Sequence, residues 1–272
     1  MTGGWEKRNN MRLLVYVLGP AGSGKSTFTA SFSEWLLNEA GIALLMNLDP
    51  ASTYLPYTPD IDIRTYVDAR EIMKKYNLGP NGAIIASTDL MLVHLDKIRE
   101  DISHFDDGYI LIDTPGQMEV FAFRRTGEII IRSLCEEKCV IVFLIDAILA
   151  NFPSGFLSQL FLAASIYYRF KLPLYLLLNK IDLLSEKDLT RINSWIDNPE
   201  KLKEDLDKEL KGYERILTLD LVKILQDFLE HFKIIPISTK RTEGFDKVYV
   251  ELQKIYSGGE DFELPDYLKK YV

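Results

Sequence analysis

The chain has 272 residues, enough for one large domain or two small ones at about 150 residues per domain. With 47% apolar and 26% charged residues it can bury a sizeable core, which excludes wholesale disorder. Basic residues number 32 and acidic ones 40, leaving a net charge of −8, so neither direct nucleic-acid coating nor polybasic binding to a membrane surface is expected.

In chain order, residues 1–10 are a polar tail without a secretory signal, and residues 11–272 read as a single domain. The apolar run Leu13 to Leu18 ends in a glycine-rich loop. Ser26 to Ala40 follows as a helix, with Phe28, Phe32, Trp35 and Leu36 at helical spacing and Gly41 as its stop. Ile42 to Leu48 comes directly after, so a second strand parallel to the first is expected. A mostly helical insertion, about 54–108, carries the turn Gly79-Pro80-Asn81-Gly82. Further short apolar runs are Tyr109 to Ile112, Val140 to Ile145, Leu174 to Leu178 and Ile234 to Ile237. A second, charge-rich helical insertion, about 185–232, puts Leu202, Leu206 and Leu210 on one face. Short continuous apolar runs separated by helices point to strands buried on both faces. The expected fold is α/β, a parallel sheet with helices on both sides, binding its ligand beyond the carboxyl ends of the strands.

No charge occurs between Asp146 and Arg169, but polar residues from Asn151 to Gln159 interrupt the stretch, so a membrane span is not expected. Its aromatic part, Phe152 to Phe170, is a candidate dimer face, to be probed at Phe156 and Phe161. Cys135 and Cys139, without a neighbouring histidine, argue against a disulfide framework or zinc finger. They are expected as thiols near a helix end and a strand start, in a reducing, cytoplasmic setting. His94, His104 and His231 lack metal-ligand spacing.

Gly19 to Ser26 (GPAGSGKS) fits G-x-x-x-x-G-K-[ST] between a strand and a helix. Glycines let backbone N–H groups close around phosphate oxygens, and the helix N-terminus adds positive potential. Gly22, Ser23, Gly24, Lys25, Ser26 and Thr27 are the expected cradle; Lys25 reaches the β- and γ-phosphates, and Ser26 ligates Mg²⁺. Asp113-Thr114-Pro115-Gly116-Gln117 ends the third run. There Asp113 can hold Mg²⁺ through water and the Gly116 N–H can sense a γ-phosphate, making the loop a switch. Asn179-Lys180-Ile181-Asp182 ends the fifth run. Asp182 can accept from guanine N1–H and N2–H₂, Asn179 can address the O6 and N7 edge, and the Lys180 stem can lie over the base. Adenine would leave that carboxylate unpaired. Ser238 and Thr239, with Lys240, suit a loop contacting guanine O6. Alone, N-K-x-D is also a common helix-capping string.

The ordered set GPAGSGKS, NLDPA, GPN, DTPGQME, NKID and STK resembles the GPN-loop GTPases, and an archaeal member among them. The resemblance implies a P-loop NTPase that hydrolyses GTP to GDP with Mg²⁺ in a homodimer and switches conformation as it does. It implies that Asn81 acts across the dimer, and that Asp49, Asp113, Gln117 and Glu119 arrange Mg²⁺ waters and the attacking water. Arg124 and Arg125 read as a solvated or ion-paired helix face rather than as catalytic cations. Eukaryotic members are associated with RNA polymerase assembly and transport, so a client of that kind is implied. Two other classes remain: a non-catalytic assembly adaptor held by nucleotide, and a metal-delivery GTPase, for which the chain lacks a Cys/His-rich site.

Overall fold

The structure, a computed structural model, describes residues 12–39, 41–135, 138–209, 228–229 and 231–257. The polar tail, Leu210 and the C-terminal residues 258–272 lie outside these. Among the described residues seven strands form one parallel sheet: β1 Arg12–Leu18, β2 Ala43–Asn47, β3 Ile61–Asp62, β4 Gly108–Asp113, β5 Lys138–Asp146, β6 Leu174–Asn179 and β7 Ile234–Pro236. Their spatial order is β3-β2-β4-β1-β5-β6-β7, with β1 at the centre. Each of the six apolar runs became a strand. β3, two residues long, was not legible as a run; it pairs Met46 with Ile61 at the sheet edge.

Alternation along β1 shows why its run is continuous. Leu14, Tyr16 and Leu18 enter one core, while Leu13, Val15 and Val17 enter the other, all at 3% exposure or less. The second core is closed by α1 (Lys25–Glu39) and α11 (Phe245–Tyr256), where Phe28, Phe32, Trp35, Phe245 and Tyr249 form one aromatic cluster. The first is covered by α4 (Leu95–Ser103), α5 (Met118–Ala122), α6 (Arg125–Leu134), α8 (Pro153–Phe170), α9 (Glu186–Asp197) and α10 (Pro199–Glu209). On α10, Leu202 and Leu206 are buried as their spacing requires.

The first insertion contains α2 (Ala69–Tyr76) and α3 (Pro80–Leu90) ahead of α4. Gly79-Pro80-Asn81 is therefore not a free turn but the start of a helix: Gly79 is the N-cap, and Pro80, whose missing N–H costs nothing there, opens α3. α7 (Ala147–Ala150) links β5 to α8.

Two expectations are corrected here. Cys135 and Cys139 stand where expected, beyond α6 and inside β5, but they are joined in a disulfide rather than held as thiols. A Cα–Cα distance of 5.9 Å lies within the range such a bond needs. Phe156 belongs to the interior, at 0% exposure beside Trp195, so it is not part of a free face. α8 turns one side to the core; Phe152, just before it, and Tyr168 are the exposed aromatics, at 61% and 72%. Among the described residues no helix is long and apolar enough to cross a membrane.

Candidate nucleotide site

β1, β4, β5, β6 and β7 bring their carboxyl ends together, and the four sequence signatures, which follow β1, β4, β6 and β7, meet there. After β1 the loop turns through Gly22 (φ +78°) and Gly24 (φ +98°), backbone that side chains rarely adopt. At Gly24 the need is also steric, since a Cβ would lie 2.7 Å from the Asn179 amide nitrogen. Lys25, only 6% exposed, donates to the carbonyls of Gly19 (2.8 Å), Pro20 (3.1 Å) and Gly116 (3.4 Å). Burial lowers its pKa, while Asp113, Asp49 and Glu119 pull the other way. The lysine thus spans the glycine-rich loop and the loop after β4. Ser26 is half-buried and Thr27 exposed at the start of α1.

Asp113 ends β4 next to Val17 of β1. Burial pushes its carboxyl up to about 6, against the hydroxyls of Ser26 and Tyr57 and the Lys25 charge, which lower it. Its Oδ2 accepts from the Tyr57 hydroxyl at 3.0 Å, while Oδ1 is buried without a hydrogen-bond partner. Burial and the Asp113 charge in turn raise the Tyr57 pKa. Thr114 donates to Val17 O at 2.7 Å, pinning the loop to β1. Gly116 then meets Asp49: its N–H donates to Asp49 Oδ2 at 3.0 Å, and Asp49 Oδ1 accepts from Ala51 N at 2.9 Å. Gln117 and Glu119 are exposed just beyond, at the start of α5.

At the base site the side chains are held by neighbouring loops. Asn179 is 1% exposed and is hydrogen-bonded through both ends of its amide. Its Nδ2 donates to Ser23 O at 2.9 Å, and its Oδ1 accepts from Thr239 N at 3.2 Å and Thr239 Oγ1 at 2.6 Å. The amide thus ties three loops together, and one of the two Nδ2 hydrogens is spent in doing so. Lys180, in left-handed backbone (φ +70°), donates to Gly22 O at 2.7 Å and Asp146 Oδ2 at 2.6 Å. Asp182 is half-buried and accepts from Ser238 Oγ at 2.7 Å; Ser238 and Thr239 are themselves buried. Of this group, Asp182 keeps an oxygen without a protein donor among the described residues.

Asn81 is not part of this cluster. It is exposed on the first turn of α3, and its side chain makes no hydrogen bond among the described residues. Arg124 pairs with Asp89 at 2.8 Å, the ion-paired reading of the sequence. His94 stacks on Tyr66. Three contributors were missed. Tyr57 carried no signal, because its segment reads as loop. Asp146, the first charge after an apolar run, and Thr114, inside a motif, were legible had strand ends been scanned for side chains as well as for motifs.

Ser26, Asp49 and Asp113 supply oxygen donors only, the chemistry of a hard divalent cation. The orphaned Asp113 Oδ1 beside Ser26 is the point such an ion would satisfy.

Residues 17–258 match a protein-family model described as a conserved hypothetical ATP binding protein. GPN-loop GTPase 1 of Dictyostelium discoideum is 34% identical over 251 residues, covering 91% of this chain and 62% of that protein. The fission yeast GPN-loop GTPase 1 is 34% identical over 244 residues, covering 85% of this chain and 65% of that protein. The chain thus spans under two thirds of the length of these relatives. A GPN-loop GTPase of Pyrococcus abyssi is 32% identical over 238 residues, which is 86% of this chain and 93% of that one. A solved apo structure of a GTPase from Pyrococcus abyssi superposes with a TM-score of 0.80 at 30% identity, over 90% of this chain and 97% of that chain. Eukaryotic and archaeal relatives match alike. With the phosphate loop, the DTPGQ loop and the NKID turn converging as the motifs require, the chain belongs to the GPN-loop GTPase family.

Proposed function

We propose that this chain binds GTP and hydrolyses it to GDP and phosphate, and that loss of the γ-phosphate releases the loop after β4. One observation carries the reading: Gly116 is held between an acid and a base. Its N–H already donates to a carboxylate, Asp49 Oδ2 at 3.0 Å, and its carbonyl faces the Lys25 ammonium at 3.4 Å. A γ-phosphate oxygen is the natural competitor of that carboxylate, being anionic, within reach of the same lysine and favoured by the same N–H. Phosphate binding takes the Gly116 N–H and frees Asp49; hydrolysis returns it.

Ser26 and Asp113 would hold Mg²⁺, joined by Asp49 once released, and the ion would neutralise charge on the β- and γ-oxygens. Gln117 and Glu119, exposed beside Gly116, orient the attacking water, so their work is positioning. Asp182 selects guanine by accepting from its two donors, which supports GTP over the ATP of the family model's description. The exposed Asn81, without a partner in its own chain among the described residues, supports a homodimer in which it acts on the other subunit. The client, a large assembling complex such as RNA polymerase, is read from the family resemblance.

Phosphate release from GTP and ATP with Mg²⁺, alongside dimer sizing with GDP and a non-hydrolysable GTP analogue, tests this. Gln117→Ala is expected to cut turnover far more than GTP affinity. GTP binding without phosphate release would replace the enzyme by a nucleotide-held adaptor.

A further inference from the structure

The helix that begins with Pro80 is tied at its other end to the segment behind the DTPGQ loop. Asp89, in the last turn of α3, accepts from Arg124 Nη2 at 2.8 Å and from Thr126 Oγ1 at 2.5 Å. Arg124 is the N-cap of α6 and Thr126 its second residue. The N-cap Arg124 makes no side-chain cap bond to α6, so beside Glu128 of its own first turn a carboxylate from α3 adds negative charge that the helix end favours. The Arg124 pair is well exposed and weak by itself; the Thr126 hydroxyl, on a residue only 6% exposed, gives the contact its direction.

α5 and the start of α6 are packed as one body. A Cβ on Gly127 would lie 1.9 Å from the Phe121 carbonyl oxygen, so the two backbones are in contact. Met118, Phe121 and Ala122 are fully buried beneath them. α5 opens one residue after Gln117, so residues 114–117 lead straight into this body. α3 packs on α5, but its two buried hydroxyls, Ser87 and Thr88, both return to Ile84 O within the helix. Among the described residues, Asp89 alone hydrogen-bonds through its side chain from α3 to this body. From Asp89 to Asn81 the helix runs eight residues, about 12 Å, as a stiff rod.

We propose that Asp89 is a positioning residue that transmits the state of the loop after β4, through α3, to the exposed Gly79-Pro80-Asn81 end. The proposal rests on the reading that a triphosphate moves that loop. The test is amide hydrogen exchange of the full chain with GDP and with a non-hydrolysable GTP analogue, in wild type and in Asp89→Ala. In wild type, exchange in both 118–127 and 81–90 is expected to differ between the two nucleotides. In Asp89→Ala the difference in 118–127 and the nucleotide affinities persist, and the difference in 81–90 is lost. Asp89→Asn, which still accepts from Thr126, restores part of it. Adding Arg124→Ala to Asp89→Ala costs nothing more, because both act through one contact. A response in 81–90 that survives Asp89→Ala, or is absent from wild type while 118–127 responds, overturns the relay alone. Absence of nucleotide binding to wild type overturns the reading of the site, and the relay with it.

Discussion

Replacing Asn179 by alanine removes three hydrogen bonds from a residue that is 1% exposed. The Ser23 carbonyl and the Thr239 N–H have no alternative partner in place, whereas the Thr239 hydroxyl can rotate. At about 1–3 kcal/mol for each buried group left unsatisfied, two such groups give roughly 2–6 kcal/mol, with an expected loss near 4. Equilibrium urea unfolding of the nucleotide-free chain measures it, provided the slope of free energy against urea is unchanged. Asn179→Asp is a sharper variant. It keeps the acceptor for Thr239 but sets a carboxylate oxygen against Ser23 O, so it should cost at least as much. A loss below about 1 kcal/mol in both variants would refute the reasoning. It would mean that the amide does not hold these loops together.

Asp182→Asn is expected to lower the preference for GTP over ATP by at least about tenfold, the worth of one charge-assisted contact; competition binding with the two nucleotides measures it. Phe156→Glu should abolish folding, because it places a charge in a fully buried position beside Trp195. Tyr168→Glu, at an exposed site on the same helix, should leave the circular dichroism spectrum and urea midpoint close to wild type. Glu251 is buried, which pushes its carboxyl up, but hydrogen bonds from Lys233 and Lys254 outweigh this and hold it below its ordinary 4.5. Its stabilisation is therefore complete above that ordinary value and is lost as pH falls through the lower, folded one. Glu251→Gln should destabilise at neutral pH, and the difference from wild type should shrink as pH falls below the ordinary carboxylate value and through the lower, folded one, read from urea midpoints across that range.

Legibility differed by residue for physical reasons. Lys25, Ser26, Asp113 and Gly116 were found because backbone geometry around a phosphate constrains sequence at fixed spacing. Asp49 was assigned by resemblance, and only its 3.0 Å contact with Gly116 shows what it holds in this state. Asn179 ends β6 where N-K-x-D places it, but its bonds to Ser23 and Thr239 were not legible. A polar residue at a strand end can face ligand or protein, and nothing in N-K-x-D says that Ser23 and Thr239 will lie within reach. Cys135 and Cys139 show the same limit, since four residues of separation permits pairing without requiring it.

By itself, then, the sequence determined the parallel sheet and the phosphate loop, because continuous apolar runs and a glycine-rich turn are local patterns with few structural solutions. The tertiary structure alone decided that Asn179 binds Ser23 and Thr239, that Phe156 is core, that GPN opens a helix, and that Asp89 meets Thr126. Each depends on residues distant in the chain or on which face of an element is covered, and burial is a property of the assembled layers rather than of any segment.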